Sequence, residues 1–363
     1  SRSPYSGLAQ ALLLGCAATT AFAAAEPAPS VLARPSLTAT LLEGYRDAAG
    51  LLADAKSLAG TNVEVVTIGR SREGRELVAV RLGASGTAPR PAILIAADLD
   101  GLHLVGAEVA LRMAKSILSQ ETLAKRPDLL EKVTIWIVPC VNPDALEATL
   151  HGPNPQRGTL RPVDDDRDGA IDEDGPRDMD GDGVVLEMRV KNPPPPYVAT
   201  LIADTTDARL MKAPETGVAA KGFEAPLYAV LPEGDDVDGD GRIAEDGRGE
   251  VDLNRNFPHR YPELTKDAGP NAVSEPESKA LADFVLAHPE IVAAITYGRH
   301  DSLVKVPEGR DNDATGRTPL VHGAGDIELY QAIGKLYRDT TGQARSGNAD
   351  NEGAFWLWLA DHR

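Results

Sequence analysis

The amino-acid sequence predicts an α/β fold, a β-sheet covered by helices. Three observations point to it. The apolar run "PAILIAA" leads through a short polar segment into "VGAEVALRMAKSILSQ", where apolar residues recur every three or four positions as in a helix. A second apolar run, "VTIWIVPCV", follows, and a third, "IVAAITYG", comes after another helical stretch. Strands buried on both faces of a helix-covered sheet become continuous apolar runs of this kind. With 363 residues, of which 42% are hydrophobic, the chain is long enough for one large domain with insertions.

Taken in order, residues 37 to 58 carry Leu and Ala at helical spacing, after a Pro-rich linker over residues 26–36. "NVEVVTIGRSREGRELVAVRLG" reads as two strands around a polar turn. Residues 152 to about 250 break the rhythm with Pro, Gly and Asp, including "NPPPPY". Their apolar content is too thin for a separate core, so they read as an insertion. Regular structure returns at "SEPESKALADFVLAHPE", where Ser274 and Glu277 have capping-box spacing and Pro276 suits a first helical turn. "IVAAITYG" is then expected as another buried strand.

The net charge is -18, but it is local. Residues 163–183 carry ten acidic and two basic side chains and residues 233–250 eight and two, so these loops hold -8 and -6 of the total. A surface so acidic repels phosphate backbones and excludes nucleic acid as a partner.

Residues 1–25 contain an apolar stretch followed by Ala21, Ala23 and Ala25, the pattern of a signal peptide, which predicts a secreted or periplasmic protein. "LLGC", ending at Cys16, also allows lipoprotein anchoring. No stretch reads as a transmembrane span. Cys140, in a strand-like run, is expected to be a buried, inert thiol.

The chemistry concentrates after strand ends, where open α/β sheets bind ligands. "DLDGLHLVGAE" places Asp100 and His103 three residues apart, and His300 follows "IVAAITYG". One carboxylate and two imidazoles would supply the three protein ligands of a catalytic Zn²⁺ site, leaving a position for water. On spacing alone the signal is weak: Asp100 could instead cap the next helix, with both histidines solvated.

The order "IGRSREGREL", "AILIAADLDGLHLVGAE", "IWIVPCVNPD", "VDLNRNFP", "GPNAVSEPESKAL" and "ITYGRHDSLV" resembles the zinc carboxypeptidases over most of residues 60 to 305. The resemblance implies a single α/β/α domain over residues 37–363, around a mixed, mostly parallel sheet with a long Asp/Gly/Pro-rich insertion over residues 152–250. It also implies removal of C-terminal residues from a peptide or protein substrate with a free C-terminus. The usual first motif, His-x-x-Glu, is Asp100-x-x-His103 here, an exchange that preserves the net charge of the ligand set. The third ligand is His300, or Arg299 if the alignment shifts by one residue; His300 is chosen on chemistry. Asn254 and Arg255 match the positions that recognise the substrate carboxylate, a task for which a guanidinium offers two parallel hydrogen bonds. Arg157, with Arg161 as its competitor, matches the oxyanion-stabilising Arg. The family's general base is a Glu on a strand beyond the third ligand. Glu352 is too early in the pattern, and that strand is expected beyond the end of this sequence.

The insertion contains D-x-D-x-D-G three times: Asp164, Asp166 and Asp168; Asp178, Asp180 and Asp182; Asp236, Asp238 and Asp240. Alternate carboxylates around a Gly turn can wrap Ca²⁺, although Gly175, Arg189 and Gly247 stand where the helix-flanked loop has Glu. Asp172, Asp174, Glu245 or Asp246 could close the sphere. Three functions follow as expectations: a zinc carboxypeptidase stabilised by calcium, a non-catalytic peptide-binding relative, or an amidase acting on acylated amino acids or cell-wall peptides.

Overall fold

The computed structural model describes residues 42–84, 90–164, 167–207, 209–214, 226–305, 324–345 and 352–362. The leader-like segment, Cys16, the linker and Asp166 lie outside the described residues. The elements below belong to a unit that runs from Pro35 onwards.

Helix α1 (Ala48–Ser57) is shorter than its spacing predicts, because Asp47 fixes its start by accepting the Gly50 N–H at 2.7 Å. Strands β1 (Val63–Arg70) and β2 (Glu76–Leu82) form the expected antiparallel hairpin. Then come β3 (Ala92–Ala96), α2 (Leu104–Ile117), α3 (Gln120–Lys125), α4 (Leu129–Lys132), β4 (Thr134–Val138) and α5 (Pro143–His151).

Among its described residues, the insertion holds small ribbons. These are β5 (Thr159–Arg161) with β10 (Gly249–Val251), β6 (Glu187–Lys191) with β9 (Tyr228–Pro232), and β7 (Ile202–Ala203) with β8 (Met211–Lys212). The chain continues with α6 (Pro276–Ala287), β11 (Ile291–Thr296), α7 (Ala324–Thr341) and α8 (Phe355–His362).

The main sheet has the order β1-β2-β4-β3-β11. It is mixed: β4, β3 and β11 run parallel, and the pairings of β2 with β1 and β4 are antiparallel. Side chains alternate between its faces. Leu94, Trp136 and Val138 point to a core shared with Phe284 and Val285 of α6 and Phe355 and Trp358 of α8. Ile95, Ile135 and Ile137 point to a second core with Leu51 of α1 and Leu111 of α2. Helices on both faces give the α/β/α layering. Trp136 meets Phe284 edge-on, with ring centroids 5.1 Å apart, a favoured aromatic geometry. No described residue of the insertion belongs to either core, which agrees with its thin apolar content.

Two local expectations are corrected. Strand β11 is an edge strand rather than a fully buried one: Val292 is 66% and Ile295 40% exposed. An apolar run cannot by itself tell an edge from a centre. The capping box also does not form. Helix α6 starts after Glu275 without a side-chain cap, and Glu277 reaches instead across the fold to accept the Arg72 N–H at 2.7 Å.

Glu277 is fully buried, and its Oε2 has no hydrogen-bond partner. Burial, with the nearby charges of Asp144 and Glu275, pushes its carboxyl up to about 7. A folded-state value above the unfolded one gives stability that is complete in acid and lost as pH rises through about 7. Glu277→Gln keeps an acceptor for Arg72 and removes the charge. By urea denaturation this variant is expected to exceed the parent by roughly 1–3 kcal/mol at about pH 8 and by almost nothing at about pH 4. An equal gap at both pH values contradicts the assignment.

Candidate functional site

The loop after β3 starts with backbone strain. Asp98 has φ 56°, in the left-handed region, and is held there by burial, by the Cys140 thiol donating to its Oδ2 at 3.0 Å, and by its carbonyl accepting the Asn142 N–H. Cys140 is the buried thiol expected, and burial raises it well above the usual thiol range. Gly101 then allows a close approach. A Cβ there would lie 2.4 Å from that of Ala145 and 2.6 Å from the Gln156 carbonyl, and its N–H donates to the Arg157 carbonyl at 3.0 Å. The chain at Arg157 is thereby held against the Asp100 loop.

Asp100 is 1% exposed. Its Oδ1 accepts the Leu102 N–H at 3.1 Å, and its Oδ2 takes Arg157 Nη1, Arg299 Nε at 3.1 Å and His103 Nδ1 at 3.3 Å. The His103 contact is a charge-range approach, since Nδ1 lacks hydrogen-bond geometry to any partner. Burial alone would raise the Asp100 carboxyl, but His103, the Leu102 N–H and Arg157 outweigh it and hold the group below the usual range.

Arg299 also donates through Nη2 to Asp252 Oδ2 at 2.7 Å. Asp252 caps the 3₁₀ turn Leu253–Arg255 by accepting the Asn254 N–H at 2.9 Å. Burial raises Asp252 despite Asn254 and Arg299, so its ionised form relies on that guanidinium.

The site thus gathers Asp100, His103 and Arg157 as read from sequence. It places Arg299, the alternative to His300, directly on Asp100. His300 lies near enough to favour the ionised form of Asp252. Among the described residues, the groups of acidic and histidine side chains whose ligand atoms converge within 4.8 Å do not include Asp100 with His103 and His300.

Arg161 pairs elsewhere, with buried Glu275 at 3.0 Å. Asn254 is buried, and Arg255 donates through Nε to Asp267 at 3.0 Å with 15% of its side chain exposed. Glu352 pairs with Arg260 at 2.9 Å. The residue sequence reasoning missed is Asp252, whose signal was its place directly before the "LNR" turn. A cavity of about 1000 Å³, lined by residues of α5 and the insertion that include Glu147, Glu245 and Glu250, does not include Asp100, His103 or Arg299.

As arranged, Asp100 Oδ2 is already engaged by two guanidiniums, so a zinc ion could be held by Asp100 and His103 only if Arg299 moved aside. Two carboxylates face two guanidiniums, so their formal charges already cancel. A dication would also have to share Asp100 Oδ2 with the Arg299 guanidinium 3.1 Å away.

The polar cluster lies outside the carboxyl ends of the parallel strands, the place where open α/β sheets bind ligands. A sequence model of the family described as zinc carboxypeptidase matches residues 51–172 and 235–357, breaking only across the insertion. The chain belongs to the zinc carboxypeptidase family. It is 34% identical over 107 residues to metallocarboxypeptidase A of Trichophyton rubrum, a match covering 29% of this chain and 25% of that one. Metallocarboxypeptidase A of Arthroderma otae gives the same identity over the same coverage. The chain therefore spans about a quarter of the length of these curated relatives. The crystal structure of thrombin activatable fibrinolysis inhibitor shares the fold, with a TM-score of 0.50 at 14% identity over 90% of this chain and 68% of that chain.

Removing one partner of a buried ion pair strands the other. Asp100→Ala is expected to lower stability by about 3–5 kcal/mol, and Arg299→Ala, being partly exposed, by about 1–2 kcal/mol. A double-mutant cycle in urea should return a coupling of roughly 1–3 kcal/mol. A coupling near zero contradicts the Asp100 to Arg299 contact.

Proposed function

We propose that this chain binds the carboxylate end of peptides at the polar cluster beyond the carboxyl ends of β3 and β11, and binds it without cutting. The observation that carries this reading is Arg299 on Asp100, which fills with a guanidinium the place where a family member would need a cation. Arg157 and Arg299 keep 29% and 38% of their side chains exposed. A guanidinium has five N–H donors, more than these pairings use, so both can also meet a ligand carboxylate bidentately. Asn254 and Arg255, on the turn capped by Asp252, are the expected contacts of the terminal carboxylate.

A second reading is metal-dependent removal of C-terminal residues, with Asp100, His103 and His300 holding Zn²⁺. The family supports it, and so does the 3.3 Å approach of His103 Nδ1 to Asp100 Oδ2. It requires Arg299 to leave Asp100 and His300 to take its place.

The experiment measures three things on the purified full chain: zinc content, release of C-terminal residues from a peptide mixture, and calorimetric binding of peptides with free or amidated C-termini. The expected result is zinc far below one equivalent, no release, and binding that amidation weakens at least about tenfold, since each 1.4 kcal/mol of lost carboxylate contact is a factor of ten. Near-stoichiometric zinc that Asp100→Ala and His103→Ala abolish, together with release, overturns it in favour of the carboxypeptidase. Cleavage of N-acyl amino acids but not peptides overturns it in favour of an amidase.

A further inference from the structure

We propose that the two acidic arms of the insertion are clasped together by a Ca²⁺ ion at a site that neither arm forms alone. The three acidic repeats first explain part of themselves without an ion. In each, the leading Asp turns both carboxylate oxygens onto its own backbone. Asp164 accepts from Arg167 and Gly169, Asp178 from Gly181 and Gly183, and Asp236 from Gly239 and Gly241, at 2.6–3.2 Å. Such turns need no cation.

What they leave unexplained lies between the arms. Asp238 sits in three overlapping groups whose ligand oxygens approach within 4.8 Å: with Asp174 and Asp236, with Asp240 and Glu245, and with Asp168 and Glu173. The first arm thus supplies carboxylates to the third repeat. The backbones meet here too: a Cβ on Gly175 would lie 2.8 Å from Gly247 Cα, and the Asp246 N–H donates to Asp174 Oδ1 at 3.1 Å.

The observation that points to a ligand is Asp174. It is 3% exposed, its Oδ1 is used by Asp246, and its Oδ2 has no hydrogen-bond partner. Glu173 Oε2 and Glu245 Oε2 are likewise shielded from water and without a partner. A carboxylate oxygen removed from water without a donor is costly, and each of the three belongs to a group that converges with Asp238, where a cation would supply the missing partner. The ligand atoms are all oxygens on flexible loops, which suits Ca²⁺ with its six to eight oxygens better than the rigid octahedron of Mg²⁺. The repeat at Asp178, Asp180 and Asp182 converges as well but has no such buried, partnerless oxygen, so it is left out of the site.

The test uses the full chain, stripped with chelator and titrated calorimetrically with CaCl₂ and, separately, MgCl₂. Trypsin digestion with and without calcium follows cleavage at Arg167, Arg177, Arg242 and Arg248. The site predicts a calcium Kd at or below roughly millimolar, weaker magnesium binding, and calcium-dependent slowing of cleavage. Asp174→Asn should weaken calcium at least about tenfold, while Asp180→Asn should leave it within about twofold, because only the former supplies a water-excluded oxygen. Asp238→Asn, an exposed position, repeats the test should Asp174→Asn misfold by circular dichroism. No heat and no protection at roughly 5 mM calcium, or parental affinity in both Asp174→Asn and Asp238→Asn, overturns the proposal. None of these readouts involves a peptide, so the outcome is separate from the fate of the peptide-binding reading.

Discussion

A carboxylate almost wholly removed from water at the end of a central strand is the constraint around which this structure is arranged. Asp100 cannot stay ionised without donors, and the Leu102 N–H, Arg157 and Arg299 converge on it, with His103 Nδ1 3.3 Å away. Each arrives by a separate local device. The bare backbone of Gly101 lets the Arg157 segment close in, the left-handed Asp98 turns the loop, and β11 delivers Arg299 from the neighbouring parallel strand. The same guanidinium reaches Asp252, so one side chain bridges two buried acids and offsets part of their mutual repulsion.

This arrangement gives the altered motif a physical meaning. Exchanging His-x-x-Glu for Asp-x-x-His preserves the charge of a ligand set only if the third member stays neutral, as His300 would be. With Arg299 on Asp100, a guanidinium occupies the carboxylate oxygen that a dication would otherwise take. Asp at position 100 and Arg at position 299 are complementary to one another.

Most of the architecture was legible in the sequence. The hairpin of β1 and β2, the strands β3 and β4 and the helix α2 follow from periodicity and apolar runs. What was not legible depended on partners distant in sequence. The exposure of Val292 and Ile295 is decided by sheet order. Glu277 left its capping role because Arg72 offered a buried N–H some 200 residues away. At the site, Asp100, His103 and Arg157 could be named because motif order marks them. Between His300 and Arg299 the sequence left both open, because the charge that draws Arg299 is that of a buried Asp100, and burial at that position is not written in the motif. Asp252 was missed for the same reason: its role exists only once Arg299 is placed.

The insertion meets the Asp100 cluster at its own base. The two-stranded ribbon that closes the insertion pairs Thr159 with Val251, Leu160 with Glu250 and Arg161 with Gly249. Arg157 stands just before one strand of that ribbon and Asp252 just after the other, and both belong to the cluster around Asp100. Glu250, within the ribbon, accepts the Arg157 N–H at 3.2 Å and ties the two ends directly. The acidic arms therefore hang from the segment that sets the spacing of Arg157 and Asp252.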